Sequence, residues 1–287
     1  MYLVFDTETT GLPQNFNAPV SDSANWPRMV QLAWQLHDEQ GNLIENQDYI
    51  IKPEGYDIPF NASRIHGITT KLAQEEGRDL AEVLHEFNAA LAKAHFGVGQ
   101  NVEFDYKIIG AEFFRKEIEN NLQELPKADT MIFGTDFCQL QGGKNGKFKS
   151  PKLEEIYEKL YGYKFEEAHN AAADVNATAQ CFFEMMRIGV INATDLKISE
   201  ELIQEFRSRY PEPIRPFEIV IRRQVTALKK KKSKVVLGET PDVDLGRYFN
   251  LITVYIPRFR LPRVFRSSSI KPSKINFQQW EWWISAI

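Results

Sequence analysis

Cysteine is scarce in this chain: only Cys138 and Cys181 occur among 287 residues. Two cysteines cannot build a disulfide framework or a cysteine-rich zinc site, and we expect both to be reduced, buried side chains. No run of about 18 apolar residues is present, which argues against a membrane-spanning helix. Acidic side chains at positions 6 and 8 interrupt the N-terminus before a signal-peptide pattern could form. These absences predict a cytoplasmic protein without membrane contact.

The overall composition is that of an ordinary globular protein. Apolar residues make up 43% of the chain, charged residues 26% and aromatic residues 12%. This balance excludes a chain that is disordered throughout. The length suits either one large domain with an appendage or two small domains.

Charge is distributed unevenly along the chain, although the formal net charge is only −4. From Lys229 onward there are twelve Lys and Arg but four Asp and Glu, a net charge of +8. Residues 1–228 carry 23 basic and 35 acidic residues, a net charge of −12. An acidic body disfavours extensive duplex binding through phosphate contacts alone, unless bound divalent cations supply positive charge at the phosphate. The same acidity would also serve to keep the protein soluble.

Apolar periodicity predicts a mixture of strands and helices. Alternating or continuous apolar residues indicate strands, and apolar residues at three- and four-residue spacing indicate helices. The expected strands are 2–5, 30–36, 43–51 and 96–99, and the expected helices are 80–91, 104–118, 151–160, 171–187 and 198–210. Residues 13–28, rich in Asn, Ser and Pro, are expected to form a long loop over the C-terminal end of the first strand. This order favours an α/β or α+β domain with a mixed sheet.

Four carboxylates and one histidine fall where strands end or helices begin. Asp6 and Glu8 are two residues apart at the end of the first strand, so their side chains project from the same side of the backbone. Asp105 and Asp174 lie in the first turns of two expected helices, and His169 stands just before the second. Each residue alone has an ordinary structural explanation, such as a favourable helix N-terminus. Together they suit a two-metal phosphodiester site, whereas the five histidines show no paired spacing for zinc.

Five short elements, in order, resemble the motifs of the DEDDh 3′→5′ exonucleases. Residues 5–12, FDTETTGL, are similar to the first motif of that family, residues 101–105 to the second, and residues 169–174, HNAAAD, to the third. Between them, residues 65–69 match the family's IHGIT element, and Asp129–Thr130 falls where members often carry Asp-Thr. The resemblance covers about residues 1–187. Within the family it is greatest to the epsilon proofreading subunit of bacterial DNA polymerase III and to exonuclease modules fused to such polymerases.

The resemblance implies a fold, a cofactor and roles for the acidic residues. The implied fold is an RNase H-like mixed β-sheet flanked by helices, here with a basic C-terminal extension. One divalent metal ion, Mg²⁺ or Mn²⁺, would be held by Asp6, Glu8 and Asp174. A second would be held by Asp6 and, directly or through water, by Asp105. His169 would be the general base.

The resemblance also implies a set of substrate-binding residues around the carboxylates. Leu12 and Ile65 match positions that wedge against the terminal bases, His66 matches a substrate-contacting position, and Asn101 would be a polar neighbour of the site. For Leu12 and Ile65, ordinary packing is an equal alternative. The full set of expected substrate-binding residues is Thr9, Gly11, Leu12, Ile65, His66 and Asn101.

Three functional hypotheses follow. The first is a 3′→5′ DNA exonuclease that acts on single-stranded or frayed 3′ ends, releases 5′-mononucleotides and serves in replication proofreading. The second keeps the chemistry but acts on RNA or oligoribonucleotides, because no motif reports contacts to the 2′-hydroxyl. The third is a mainly structural polymerase accessory subunit, against which the intact acidic set argues. A DNA polymerase III catalytic subunit and a sliding clamp are the candidate protein partners.

The C-terminal third is expected to be organised differently from residues 1–187. Residues 188–228 are expected to form an accessory helical and Pro-rich segment, and residues 229–287 a basic linker and tail. Residues 224–228, QVTAL, resemble a sliding-clamp-binding pentapeptide, although such patterns are common by chance. The Arg and aromatic residues of the tail would suit either single-strand stacking or docking to a polymerase.

Overall fold

The computed structural model describes residues 1–163, 165 and 170–214. A five-stranded sheet, in the order β3-β2-β1-β4-β5, forms its centre. Strand β1 pairs antiparallel with β2, which pairs antiparallel with β3, whereas β4 and β5 run parallel to β1. The strands are β1 Tyr2–Thr9, β2 Met29–His37, β3 Leu43–Ile50, β4 Phe96–Gly99 and β5 Lys127–Asp129. The C-terminal ends of β1 and β4 therefore meet at one edge of a mixed sheet.

Helices cover both faces of this sheet. They are α1 Phe60–His66, α2 Thr70–Glu76, α3 Leu80–Leu91, α4 Val102–Arg115, α5 Thr130–Cys138, α6 Leu153–Tyr161, α7 Ala171–Arg187, α8 Ala193–Leu196 and α9 Glu200–Arg209. Within the ranges just given, none is both long enough and apolar enough to cross a bilayer.

The alternation of side chains along β1 divides the core into two layers. Tyr2 faces the helix α7, where its ring lies 5.4 Å from that of Phe182. Phe5 faces the opposite way, with ring centroids 5.4 Å from Phe87 of α3 and Tyr106 of α4. Because successive strand residues point to opposite faces, the continuous apolar run at the start of β1 supplies both layers. The predicted first strand is confirmed, and it is buried on both faces.

Several element boundaries differ from those predicted by apolar spacing, and polar contacts explain the differences. Helix α4 begins at Val102 rather than 104, because the Asp129 carboxylate accepts hydrogen bonds from the Asn101 and Val102 amides at 2.9 and 3.2 Å. It ends before residue 118, since Glu117 adopts a left-handed conformation with φ 54°. Helix α6 begins after Lys152, whose amide donates to Glu155 at 2.7 Å. The prediction missed α1, α2, α5, α8 and β5, which are too short for a clear apolar period.

The segment after residue 187 packs on α7 as far as the described residues extend. Ile203 and Phe206 of α9 are buried in the same core layer as α7. The Arg207 guanidinium donates to the Met186 carbonyl at 3.0 Å, and the Tyr210 hydroxyl donates to the Gln40 carbonyl at 2.9 Å. The expectations for residues 224–228 and for the basic tail lie outside the described residues.

A buried ion-pair network fixes the long loop between β1 and β2. Glu112 of α4 is fully buried, and its carboxylate lies 2.9 Å from Arg28 Nε, 3.0 Å from an Arg115 terminal nitrogen and 2.9 Å from the Met29 amide. Arg115 also donates to the carbonyl of Trp26 at 2.6 Å. The two ends of the loop are also joined: the Thr10 amide donates to the Arg28 carbonyl, and the Arg28 amide donates to the Thr10 hydroxyl, both at 2.9 Å. The loop is thus fastened to α4, the helix that carries Asp105.

Replacing Glu112 with Ala should therefore destabilise the protein strongly. The substitution leaves two arginines at a largely buried position without their shared carboxylate, a change that costs about 3–5 kcal/mol of unfolding free energy. Urea unfolding followed by tryptophan fluorescence measures the loss. Glu119→Ala, at an exposed position beyond the same helix, is the matched control and should change stability by less than about 0.5 kcal/mol. Equal stability of the two variants would contradict a stabilising role for the network.

Candidate active site

The C-terminal end of β1 brings carboxylates from both faces of the sheet to one edge. Asp6 and Glu8 point toward the α7 face, as Tyr2 does, and Asp174 occupies the first turn of α7. Oxygen atoms of these three carboxylates all lie within 4.8 Å of one another. Hard oxygen donors at such separations are the ligands that Mg²⁺ and Mn²⁺ prefer. Three of the four predicted metal ligands therefore form one group capable of holding a divalent cation.

Asp105 reaches the same edge from the opposite face of the sheet. One of its carboxylate oxygens accepts hydrogen bonds from the Thr7 amide at 3.0 Å and from the Thr7 hydroxyl at 2.7 Å. Thr7 lies between Asp6 and Glu8 on β1, so its side chain points to the α4 face. Asp105 is only 3% exposed. It flanks the three-carboxylate group rather than belonging to it, and Thr7 sets its position.

Crowding of like charges perturbs these carboxylates strongly. Burial, together with the charges of Asp105, Asp174 and Glu8, raises the pKa of Asp6 well above its ordinary value. Burial and the charges of Asp174 and Asp105 raise the pKa of Glu8 to about 8. Burial raises the pKa of Asp105 to about 7, although the two hydrogen bonds from Thr7 lower it. Such mutual repulsion is what a bound cation would relieve, so the electrostatics suit a metal site.

Comparison with known proteins establishes the family. The RNase T family model, described as an exonuclease, matches residues 3–182, more than half of the chain. The chain belongs to this exonuclease family. The PolC-type DNA polymerase III of Latilactobacillus sakei is 25% identical over 237 residues, 82% of this chain and 15% of that protein. The Streptococcus thermophilus enzyme of the same name is 28% identical over 182 residues, 63% of this chain and 11% of that protein. The exonuclease thus spans a small fraction of these relatives.

Solved structures show the same fold. E. coli Exonuclease I in complex with a dA16 oligonucleotide aligns with a TM-score of 0.51 at 21% identity, covering 71% of this exonuclease and 42% of that chain. The zinc-bound Exonuclease I complex with single-stranded DNA also gives a TM-score of 0.51, at 22% identity, and covers 68% and 44%. The predicted fold, a mixed sheet flanked by helices as in RNase H-like exonucleases, is confirmed.

Asp129 fixes the helix on which the exonuclease carries Asp105. Besides the Asn101 and Val102 amides at the start of α4, its carboxylate accepts a hydrogen bond from the Met131 amide of α5 at 2.9 Å. One side chain therefore caps two helices. The resemblance drew attention to Asp129 without giving it a role. The Asp-Thr resemblance at residues 129 and 130 was the only signal available, because neither β5 nor α5 shows a clear apolar period.

Gln31 is a second residue near the site that sequence analysis missed. It pairs directly with Glu8 across β1 and β2, is 2% exposed and donates to the Asp48 carboxylate at 2.6 Å. Its carbonyl oxygen accepts a hydrogen bond at 3.4 Å from the amide of Ala171, the first residue of α7. No signal in the sequence pointed to it, because alternation with apolar neighbours is the pattern of a half-exposed strand, whereas the structure buries every position of β2. Gln31 therefore links β2, at the position paired with Glu8, to the helix that carries Asp174.

The predicted substrate-binding residues lie around the same strand end. Leu12 is 75% exposed and Ile65 58% exposed, so neither is a packed core residue. His66 is buried, and its Nδ1 accepts a hydrogen bond from the Ile68 amide at 3.1 Å. Burial lowers the pKa of His66, although a backbone interaction with Thr9 acts in the opposite direction. The imidazole is therefore neutral and carries its proton on Nε2.

Two further predicted positions shape the backbone next to the carboxylates. The Thr9 hydroxyl donates to the Gly11 carbonyl at 2.7 Å and so closes a tight turn directly after β1. Asn101 has a left-handed backbone with φ 58° immediately before α4. His169 lies outside the described residues. The described chain resumes at Asn170, whose side chain accepts from the Ala173 amide at 3.4 Å and caps α7.

Proposed function

We propose that this exonuclease hydrolyses the terminal phosphodiester bond at DNA 3′ ends with two divalent metal ions, releases 5′-mononucleotides and serves in replication proofreading. The observation that carries the proposal is the group of Asp6, Glu8 and Asp174 at the end of β1, flanked by Asp105. Support for DNA as substrate comes from the relatives, which are named DNA polymerases. The names of solved neighbours likewise include DNA oligonucleotides.

The donor set suits the proposed cofactors. Asp6, Glu8 and Asp174 would hold one Mg²⁺ or Mn²⁺. Asp6 and, directly or through water, Asp105 would hold the second. Bound there, the metals would lower the pKa of water and neutralise charge on the phosphate. The carboxylates would position these cations at an edge of the sheet where the acidic body otherwise repels a nucleic acid strand.

The remaining residues would orient the substrate and move one proton. His169 would accept the proton of the attacking water, and this requires a neutral imidazole. Leu12 and Ile65 expose apolar side chains that would contact the terminal bases of a single strand. His66, held neutral by burial and by its contact with Ile68, would add no charge to the site.

The relatives suggest a polymerase III catalytic subunit as the partner. The two relatives described above are PolC-type polymerases many times longer than this chain. The exonuclease would receive a frayed 3′ end from such a partner. A sliding clamp would be the partner of residues 224–228, if the QVTAL pentapeptide binds as its pattern predicts.

Gel-resolved digestion tests the proposed substrate and polarity. The full chain is incubated in Mg²⁺ with 5′-labelled single-stranded DNA, matched and mismatched primer-templates, and RNA of the same sequence. We expect a ladder shortened from the 3′ end, with the single strand and the mismatched primer digested faster than the matched primer. Faster digestion of RNA would overturn DNA as the substrate and support the RNA-trimming hypothesis. No digestion of any strand would leave only the structural hypothesis.

A further inference from the structure

A cluster of lysines interrupts the acidic surface between α5 and α6. Residues 137–153 contain four lysines and no acidic residue, whereas residues 1–228 as a whole have a net charge of −12. Two of the four are paired: Lys149 lies 2.9 Å from Glu155, and Lys152 lies 3.6 Å from Glu154. Lys144 and Lys147 are exposed and have no ion pair within the described ranges. These two ammonium groups are available to an external anion.

The segment that carries them, residues 140–149, is a structured loop that we call the lysine loop. Leu140 and Lys149 pair antiparallel at its base, with the Lys149 amide donating to the Leu140 carbonyl at 2.8 Å. The Lys147 amide donates to the Lys144 carbonyl at 3.2 Å across the tip. Gly143 is required there, because a Cβ atom would collide with the carbonyl oxygens of Lys147 and Phe148. The two free lysines are therefore presented on a defined turn.

The base of the lysine loop is attached beside the active site. The side-chain nitrogen of Gln100 donates to the Pro151 carbonyl at 2.8 Å, and the Thr130 hydroxyl donates to the side-chain oxygen of Gln100 at 2.6 Å. Gln100 directly follows β4, whose C-terminal end lies at the same sheet edge as that of β1. Four residues of extended chain span at most about 14 Å, so Lys147 stays within that distance of Pro151.

We infer that Lys144 and Lys147 bind backbone phosphates of the substrate strand upstream of the scissile bond. This inference rests on the proposed function, which brings a nucleic acid 3′ end to the carboxylates. A reach of about 14 Å from this attachment point is long enough for the lysines to meet backbone phosphates near the 3′ end. An acidic body repels this polyanion, and two unpaired cations at the edge of the site offset the repulsion where the strand must pass. The contacts fix the strand's register and carry no base specificity.

The double variant Lys144→Gln/Lys147→Gln tests this inference against a control of equal charge change. The control is Lys93→Gln/Lys197→Gln, at the opposite edge of the sheet. Lys93 lies just before β4 begins, and Lys197 precedes Ile198, which lines a small cavity with Tyr2 and Phe96 at the starts of β1 and β4. Residues 229–287 are the same in both variants, so their charge cancels in the comparison.

The first measurement is the salt dependence of binding to a fluorescent 20-nucleotide oligothymidylate, without divalent metal. Loss of two phosphate contacts should lower the slope of log K against log salt by about 1.4, which corresponds to roughly 25-fold weaker binding at 0.1 M salt. The second is turnover in Mg²⁺, where KM for the 20-mer should rise while kcat, and both constants for a dinucleotide, stay unchanged. The control variant should match the wild type throughout.

The outcomes separate the inference from the function on which it rests. A salt slope and KM equal to those of the control, in an active enzyme, would overturn the inference alone. An equal loss of kcat/KM on the dinucleotide and on the 20-mer would also overturn the inference. The lysine loop would then act on the carboxylates rather than on upstream phosphates. A wild-type protein that hydrolyses neither substrate would instead contradict the proposed function.

Discussion

Replacement of Asp6 by Asn should abolish hydrolysis while leaving the exonuclease folded. Asp6 is the carboxylate whose pKa is raised by all three of its acidic neighbours, so it lies at the centre of the group. The amide keeps the volume of the side chain but loses the charge that both proposed metals would share. Metal ions contribute several kcal/mol to such reactions, and each 1.36 kcal/mol is a factor of ten in rate. We expect a loss of about 10³-fold or more, measured as initial rate on single-stranded DNA in saturating Mg²⁺.

Asp136→Asn is the matched control, since Asp136 is exposed on α5. It should retain wild-type turnover. Thermal melting provides the second readout: Mg²⁺ should raise the melting temperature of the wild type and of Asp136→Asn, and not that of Asp6→Asn. Turnover by folded Asp6→Asn within tenfold of the wild type would contradict the metal assignment.

The raised pKa of Glu8 should make the Mg²⁺-induced rise in melting temperature depend on pH. Without a cation, its folded-state pKa of about 8 lies above the ordinary value for a glutamate. The folded protein therefore binds more protons than the unfolded chain between these values, and its stability falls as pH rises through about 5 to 8. Metal binding must displace that proton. The rise in melting temperature caused by Mg²⁺ should thus be larger at pH 8 than at pH 6.

Replacement of His169 by Ala should remove the proposed general base and leave metal binding intact. A positioned base contributes about 10²- to 10⁴-fold to turnover. An unperturbed histidine titrates near pH 6.5, so wild-type activity should increase between about pH 6 and 7.5. In His169→Ala this increase should disappear, and part of the lost rate should return at higher pH, where water ionises more readily. The measurement is a pH–rate profile in saturating Mg²⁺.

His85→Ala is the control for this variant, because His85 is exposed on α3. It should follow the wild-type pH profile. The Mg²⁺-induced melting shift should be the same in wild type and His169→Ala, since it depends on the carboxylates. A His169→Ala protein that keeps more than about a tenth of the wild-type turnover, with the same pH profile, would show that His169 is not the base.

The proximity of Asp6, Glu8 and Asp174 could be predicted from the sequence, because these residues fall at the ends of a predicted strand and helix. Asp6 and Glu8 belong to a strand that an unbroken apolar run marks, and Asp174 begins a helix with a clear apolar stripe. The structure brings these three together at the distance a metal requires. Thr7 was not predictable in the same way, since its contact with Asp105 depends on how α4 packs across 98 residues of chain.

The supporting polar residues are harder to predict for the same reason. Asp129, Gln31 and Glu112 each act on chain segments far away in sequence, and no local period reports such contacts. Short elements such as α1 and α5 are fixed by caps and by tertiary packing rather than by apolar spacing. Motif resemblance locates the vicinity of these residues, and only the packed structure gives their partners.

Alternate residues of β1 point to opposite faces of the sheet, so the site depends on the register of this strand. Asp6 and Glu8 serve the α7 side, and Thr7 between them serves the α4 side. Insertion or deletion of a single residue before Asp6 would exchange the two sides and direct both carboxylates away from Asp174. The loop over residues 13–28 does not alternate between the two faces of the sheet, so a change in its length does not reverse the direction of any strand side chain; it is held at its ends and by Arg115. Length variation within a lineage of this exonuclease should therefore accumulate in that loop and be absent from the strand.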